Sequence, residues 1–207
     1  MLVTGITEIT KSRSRIEIDY AFAFVLYKGE LRIYGIEEGC EISEKAYAEI
    51  MEQVLPKRAK LRAMNLLKQR SYTRYTLAEK LRQGGYPEQI IKEALDYVES
   101  FHYIDDRQYA LYYMEYNKER KSKRRIFQDL MQKGIPESLL QDVWEESAGE
   151  DAQKLAREQI LAWAKKKNFS PETADFGQKQ KMMAFLYRKG FQVEDIRSVL
   201  LLDITPN

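Results

Sequence analysis

One short phrase occurs three times in the chain, and it constrains the fold more than any other feature. The copies read "LRQGGYPEQII" from Leu81, "LMQKGIPESLL" from Leu130 and "LYRKGFQVEDI" from Leu186. In each copy a Leu is followed four residues later by Gly, then by a hydrophobic residue, a short polar run and further aliphatic residues. This order is typical of a helix that ends, a sharp turn and a second helix that begins.

The glycine of each copy lies where a helix C-terminus favours a left-handed residue. Gly adopts that conformation at little cost, whereas a residue with a side chain does not. We therefore expect Gly85, Gly134 and Gly190 to be left-handed, each followed by a hydrophobic residue that packs back on the helix just ended. Pro87 and Pro136 suit the first turn of the next helix, where a missing backbone N–H breaks no hydrogen bond.

The spacing of the glycines predicts the size of the repeating unit. They are 49 and 56 residues apart, which leaves room in each repeat for one more helix before the phrase. Segments rich in Ala, Leu, Lys and Glu predict these helices at 57–70, 106–121 and 151–167. The chain is thus predicted to be mainly α, a tandem array of three three-helix repeats in an elongated, curved arrangement. We place an N-terminal region at 1–56 and the repeats at 57–104, 105–148 and 149–207.

The N-terminal region has a different pattern. The segment "RIEIDYAFAFVLYKGELRIYGI" from Arg15 places a hydrophobic residue at every second position, the period of a β-strand. Lys28 and Gly29 are interpreted as a hairpin turn, and "TGITEIT" from Thr4 as a third strand. The prediction is a small antiparallel sheet covered by a helix at about 43–55, which the following proline would end.

Composition and motifs favour no catalytic chemistry. The net charge is only +2, from 34 basic and 32 acidic residues, so no overall field attracts nucleic acid. His102 is the only histidine and Cys40 the only cysteine, and no phosphate-binding Gly-rich motif occurs. Asp105 and Asp106 are interpreted as a helix cap with Gln108 rather than as paired catalytic carboxylates. We expect a cytoplasmic monomer without cofactor, metal, disulfide framework, secretion signal or membrane span.

The sharpest charge pattern is the segment "KERKSKRR" from Lys118, in which six of eight residues are basic. These are Lys118, Arg120, Lys121, Lys123, Arg124 and Arg125. Acidic residues follow without Lys or Arg from position 134 to 153, namely Glu137, Asp142, Glu145, Glu146, Glu150 and Asp151. The pattern is either an ordinary solvated face or a binding surface, and the separation of the two signs favours binding. We expect Lys121, Lys123, Arg124 and Arg125 to bind a partner without holding the fold, with Arg125 the member best placed for a structural ion pair.

The other repeats have weaker basic groups at the same junction: Lys68, Arg70 and Arg74, and then Lys165, Lys166 and Lys167. Equivalent positions of stacked repeats share one side, so a basic stripe is predicted. In the helix at 106–121, Tyr109, Tyr112, Tyr113 and Tyr116 recur at spacings of three and four. Core packing is the preferred interpretation over base stacking, with Tyr112 and Tyr116 facing outward.

From Arg70 onward the chain resembles the RecX family of bacterial regulators of the RecA recombinase. The resemblance rests on "RSYTRYTLAEKL" from Arg70, "YIDDRQYA" from Tyr103, "RRIFQDLMQKGI" from Arg124 and "FLYRKGFQVEDI" from Phe185, in the family's order. The segment "YGIEEGCEIS" from Tyr34 is similar to longer, Gram-positive-type members.

The chain departs from the family pattern at three positions. Thr76 and Asp129 stand where the family usually has Glu, and Ser122 where it often has Gly. We expect the loss of a carboxylate at Thr76 to weaken the helix cap that begins at Thr73.

The resemblance implies a protein that is not an enzyme. It would bind the RecA filament on single-stranded DNA and change, usually lower, its ATPase, strand-exchange and co-protease activities. Weak direct contact with DNA is also implied. The alternative is a helical-repeat protein that binds single-stranded DNA or structured RNA directly through the basic stripe.

Overall fold

The chain forms two compact units, Met1–Asp105 and Asp106–Asn207. The computed structural model describes residues 1–148 and 151–200. The first unit contains a three-stranded sheet and helices, whereas the second is helical throughout its described ranges. The fold is therefore mainly α with a small antiparallel sheet at its N-terminus, as predicted.

The sheet is an antiparallel meander of β1 (Val3–Thr10), β2 (Arg13–Ile18) and β3 (Ala21–Tyr27). Its second hairpin turns at Asp19 and Tyr20, which have φ of 48° and 64°. Two left-handed residues match the twist of a tight hairpin. The alternating run is therefore two strands rather than one.

The turn predicted at Lys28 and Gly29 is wrong. These residues begin helix α1 (Lys28–Tyr34). The Glu30 carboxylate accepts a hydrogen bond of 2.7 Å from the backbone N–H of Tyr27 and so satisfies one of the free donors at the helix start.

Pro56 does not end the covering helix, contrary to the prediction. Helix α2 (Glu44–Glu49) continues through a π-helical turn, Ile50–Val54, into α3 (Leu55–Leu67). The Leu55 N–H donates to the Ile50 carbonyl, five residues back. This wider turn accommodates the proline, which lacks an N–H and would crowd a regular α-helical turn.

Helices α4 (Arg74–Gln83) and α5 (Glu88–Ser100) complete the first unit. The inner face of the sheet and helices α3 to α5 share one core of buried residues. Thr73 caps α4, and its cap is complete without a carboxylate, contrary to our expectation. Its side chain accepts from the Thr76 N–H at 3.1 Å, and the Thr76 hydroxyl accepts from the Thr73 N–H at 3.0 Å.

The second unit contains six helices in its described ranges. They are α6 (Asp106–Asn117), α7 (Lys123–Met131), α8 (Glu137–Ala148), α9 (Ala152–Lys166), α10 (Phe176–Arg188) and α11 (Val193–Leu200). One buried cluster joins α6, α7 and α8, and another joins α9, α10 and α11. The aliphatic residues that end the repeated phrases lie in these clusters, Leu140 in the first and Ile196 in the second.

All three repeated phrases form the predicted turn. Gly85, Gly134 and Gly190 have φ of 81°, 82° and 92°. The N–H of the following residue returns to the Leu carbonyl at 3.5, 3.2 and 3.3 Å, respectively. That following residue is buried in every copy: Tyr86, Ile135 and Phe191. The left-handed glycine and the hydrophobic residue that packs back are both confirmed.

The prolines lie one position earlier than predicted. Pro87 is the residue that caps α5, and Pro136 directly precedes α8. Their carbonyls accept the first helical hydrogen bonds, from Ile91 at 2.9 Å and Leu140 at 3.2 Å. Gln192 does the same for Ile196 at 3.1 Å, so the third copy needs no proline.

Replacing Gly134 by Val is expected to lower the free energy of unfolding by at least about 1 kcal/mol, because a β-branched side chain is strained at positive φ. Urea denaturation of the full chain measures this change. The matched control is Gly29→Ala, since a Cβ at Gly29 would meet nothing within 4 Å. We expect the control to be as stable as the original chain, and equal stability of both variants would contradict the account of the turn.

Candidate partner-binding surface

The predicted basic residues of the second repeat lie at the junction of α6 and α7. We name residues 118–125 the basic segment. Helix α6 ends at Asn117, and Ser122 caps α7 with its hydroxyl. Lys123, Arg124 and Arg125 are the first three residues of α7. Six cationic side chains therefore begin within one turn of a helix end or a helix start.

Two buried polar side chains fix the backbone of the basic segment. Ser122 accepts from the Arg125 N–H at 3.4 Å and donates to the Lys189 carbonyl at 2.7 Å. Gln159 donates through Nε2 to the Lys118 carbonyl at 2.5 Å and the Lys121 carbonyl at 3.1 Å. Both side chains are buried. Helices α9 and α10 therefore hold the basic segment in place from the third repeat.

The approach of α10 to Ser122 also requires a glycine. A Cβ at Gly190 would lie 2.5 Å from the Ser122 hydroxyl. The left-handed turn after α10 and the cap of α7 are thus packed against each other. The cap residue Ser122 is buried in this contact, whereas the side chains of the first turn of α7 are exposed.

Asp129 holds two of the six cations. Its carboxylate lies 2.8 Å from Lys121 Nζ and 3.1 Å from Arg125 Nε. The Tyr113 hydroxyl donates to it at 2.9 Å. Arg125 was expected to form an ion pair and does. Lys121 was expected to have no structural role, and that expectation is wrong because its ammonium is half-buried between Asp129 and Tyr113.

The contacts between Asp129, Lys121 and Tyr113 shift the pKa values of Asp129 and Lys121. Burial alone would raise the pKa of Asp129, but hydrogen bonds from Lys121 and Tyr113 and the charges of Lys121 and Arg125 outweigh it and lower that pKa. The hydrogen bond to Asp129, followed by that to Tyr113, raises the pKa of Lys121. Both shifts favour the charged pair.

Lys118 is also engaged within the fold. Its ammonium lies 2.8 Å from the Glu115 carboxylate and 3.3 Å from the Ser147 carbonyl. The hydrogen bond that Lys118 donates to Glu115, followed by one from the Ser147 hydroxyl, lowers the pKa of Glu115. Lys118 is therefore less available to a partner than its neighbours.

Three cations of the basic segment remain exposed, with no carboxylate of the described ranges within 4.0 Å. Arg120 lies over the Tyr116 ring at 5.1 Å from its centroid, and Arg124 over the Tyr187 ring at 5.6 Å. Lys123 Nζ lies 5.1 Å from the centroid of the Phe127 ring and donates to Gln141 Oε1 at 2.9 Å. Aromatic faces attract cations, but they leave the charge uncompensated.

The remaining predicted site residues have local roles or stand alone. Lys165 and Lys166 lie in the last turn of α9 and Lys167 follows it, where cations stabilise the helix dipole. In the first unit, Arg70 is exposed over the Tyr72 ring at 4.6 Å. Arg74 forms ion pairs with Asp96 and Glu99, so it is not a free cation.

The acidic residues of α8 are partly engaged. Glu137, Asp142 and Glu145 are exposed, whereas Glu146 forms an ion pair with Arg107 at 2.6 Å. Glu150, which we included in the acidic group, lies outside the described residues.

The tyrosines of α6 divide as predicted. Tyr112 and Tyr116 are 70% and 71% exposed, and Tyr109 and Tyr113 pack against the core.

Sequence reasoning missed Gln159 and the central role of Asp129. Arg125 and Asp129 are four residues apart on one helix, a spacing that could have predicted their ion pair. No sequence signal indicates the contact of Gln159 with carbonyls 38 and 41 residues away.

Within the described ranges, no group of three or more His, Cys, Asp or Glu residues could hold a metal ion. No helix in those same ranges is long and apolar enough to cross a membrane.

Replacing Asp129 by Asn is expected to lower the free energy of unfolding at pH 7 by about 1–2 kcal/mol, since Lys121 and Arg125 lose a charged acceptor. Because folding lowers the pKa of Asp129, its contribution is fully present above the ordinary Asp pKa of about 4. It is lost as the pH falls through the lowered pKa. Denaturation at several pH values measures the difference, with the exposed Asp142→Asn as control. A difference that grows as the pH falls would contradict this assignment.

Comparison with known proteins finds two RecX three-helix domains in this chain. The model of the RecX first three-helix domain matches residues 59–97, and that of the RecX third three-helix domain matches residues 153–200. The solved "Crystal structure of regulatory protein RecX" is 25% identical with a TM-score of 0.63 and covers 96% of this chain and 98% of that one. The RecX structure from Lactobacillus salivarius, 20% identical with a TM-score of 0.60 over 72% of this chain and 96% of that one, shares the fold.

A curated relative extends the similarity to almost the entire chain. "Regulatory protein RecX" of Caldanaerobacter subterraneus subsp. tengcongensis is 31% identical over 204 residues, which cover 98% of this chain and 100% of the relative. The repeated turns, the three-helix groups and this identity lead to one conclusion: the chain belongs to the RecX family of regulatory proteins.

Proposed function

We propose that this protein binds RecA and the filament that RecA forms on single-stranded DNA, and lowers the ATPase, strand-exchange and co-protease activities of RecA. It does so as a cytoplasmic monomer and without catalysis of its own. Membership of a family of regulatory proteins supports a role in regulating RecA. The basic segment is the surface we assign to partner binding.

One observation carries this assignment. The first turn of α7 contains three cations, Lys123, Arg124 and Arg125, and this turn contains no acidic residue. The helix dipole disfavours cations there by about 0.3–1 kcal/mol each. Asp129 compensates Arg125 but not Lys123 or Arg124. A charge that is unfavourable to the fold and unpaired within it is expected where a partner supplies the opposite charge.

The other repeats also present basic residues to solvent. Arg70 in the first repeat and Lys165, Lys166 and Lys167 in the third are exposed. If each repeat contacts a neighbouring RecA protomer, weak contacts on one chain reinforce each other through multivalency. The filament, which repeats its protomers, would then bind more tightly than a single RecA molecule.

Replacing Lys123 and Arg124 together by Glu is expected to weaken binding to the RecA filament at least about tenfold and to flatten its salt dependence. The same change places two carboxylates at a helix start, so the melting temperature should stay equal or rise. Fluorescence anisotropy of labelled filaments at several salt concentrations and thermal denaturation measure both quantities.

The matched control reverses two exposed acids, Asp142→Lys with Glu145→Lys, and should change the affinity less than about threefold. If the acidic reversal abolishes binding while the basic reversal leaves it intact, the basic segment is not the working surface.

Direct binding of single-stranded nucleic acid is the second candidate. It is favoured by Arg120 and Arg124, which lie over the exposed rings of Tyr116 and Tyr187, because cations beside aromatic faces suit bases and phosphates. The exposed acids of α8 and the net charge of only +2 favour the protein partner instead.

Affinities for a bare oligo-dT and for a RecA filament on the same oligo-dT, measured at one salt concentration, separate the two candidates. We expect the filament to bind at least about tenfold more tightly. Equal affinities would favour direct nucleic-acid binding and contradict the leading proposal.

A further inference from the structure

Helix α5 ends in an exposed row of aromatic rings. Tyr97, Phe101 and Tyr103 are 39%, 56% and 51% exposed. The ring centroids of Tyr97 and Phe101 are 5.1 Å apart, and those of Phe101 and Tyr103 are 6.0 Å apart with planes inclined by 23°. We name these three residues the aromatic row. Contiguous exposed apolar surface of this kind marks interaction sites.

The backbone under the aromatic row is strained. The turn has the hydrogen bonds of the repeated phrase, from the Tyr103 N–H to the Val98 carbonyl at 2.9 Å and from the His102 N–H to the Glu99 carbonyl at 2.8 Å. At the left-handed position, however, it has His102, with φ of 56°, where the three repeated turns have Gly. Such strain is typical of functional segments. Here it places a ring on either side of the turn.

The aromatic row already receives one cation of the chain itself. Lys60 Nζ lies 5.3 Å from the centroid of the Tyr97 ring and 2.6 Å from the Glu93 carboxylate. In the described ranges, no such cation lies over Phe101 or Tyr103. Their faces can therefore take a cation from another molecule.

Carboxylates predominate around the aromatic row. Glu93 is paired with one lysine, while Asp96 and Glu99 share the single guanidinium of Arg74. Helix α5 contains four acidic residues and one basic residue, Lys92, and the carboxylates of Glu93, Asp96 and Glu99 are about half exposed. This acidic rim attracts a cationic partner and repels phosphodiesters. It also disfavours a symmetric contact with a second copy of the chain, which would bring the same acids together.

We infer that the aromatic row is a second docking surface, and that it receives a segment of the protein partner that presents arginine or lysine beside apolar side chains. The cation would lie on the faces of Phe101 and Tyr103 and the apolar side chains along their edges. This surface is opposite in charge to the basic segment. In taking RecA as the partner, the inference rests on the proposed function.

The chemistry of the surface can be tested without RecA. A capped peptide of alternating Leu and Arg is titrated into the isotope-labelled full chain, and the same peptide with Glu in place of Arg is the control. We expect the aromatic NMR signals of all three rings to shift and saturate with the arginine peptide, and to respond at least about tenfold more weakly to the glutamate peptide. The Phe101→Ser, Tyr103→Ser double variant should lose the response.

Three outcomes of this titration overturn the inference. The first is the absence of a ring response to the arginine peptide, or an equal response to both peptides. The second is a response of the same rings to oligo-dT, which would make the row a nucleic-acid surface. The third is a ring response to the protein's own concentration, which would make it an interface between copies of the chain.

A filament-binding measurement then tests the partner. Phe101→Ser with Tyr103→Ser should weaken binding to the RecA filament at least about tenfold, as expected of aromatic interface anchors. His102→Gly relieves the strained φ and keeps both rings, so it should bind like the original chain. Unchanged binding of the double variant contradicts the inference but not the proposed function. Failure of the original chain to bind contradicts the proposed function, and the peptide titration still decides the chemistry of the surface.

Discussion

A left-handed glycine at the end of a helix is the constraint on which the rest of the structure depends. It reverses the chain between the second and third helices of each group and directs the next residue into the core. At the first and third turns the glycine also lies against another element. A Cβ at Gly85 would collide with Val25 of the sheet, and one at Gly190 with Ser122. These turns therefore set both the direction of the chain and the contacts between elements.

The second of these contacts connects the fold to the proposed working surface. Gly190 packs against Ser122, and Ser122 caps α7. Asp129 then holds Lys121 and Arg125, and Gln159 holds the backbone before the cap. Within the described ranges, three cations of the basic segment then have no carboxylate partner: Arg120, and Lys123 and Arg124, which the helix dipole disfavours. In our account the free energy of binding a partner offsets this local cost, which is why the sequence retains cations at a helix start.

Much of the helical fold could be predicted from the sequence because its determinants are local. The glycine turns, the helix starts and the buried stripes each follow from residues within one or two helical turns. The errors arose where a non-local or cooperative effect prevails. A π turn accommodates Pro56, and the left-handed pair Asp19 and Tyr20 sets the second hairpin. The sequence predicted where the basic segment lies, but it did not predict the ion pair of Lys121. That pair depends on the Asp129 carboxylate, eight residues away beyond the start of α7.

The central claim is that this protein regulates RecA through contact with its filament. Steady-state ATP hydrolysis by RecA on single-stranded DNA, titrated with this protein at fixed salt, tests that claim most directly. The account predicts a saturable fall in the rate at protein concentrations below that of RecA, with no ATP hydrolysis by the protein alone. An ATPase rate that stays constant up to concentrations well above that of RecA would contradict it.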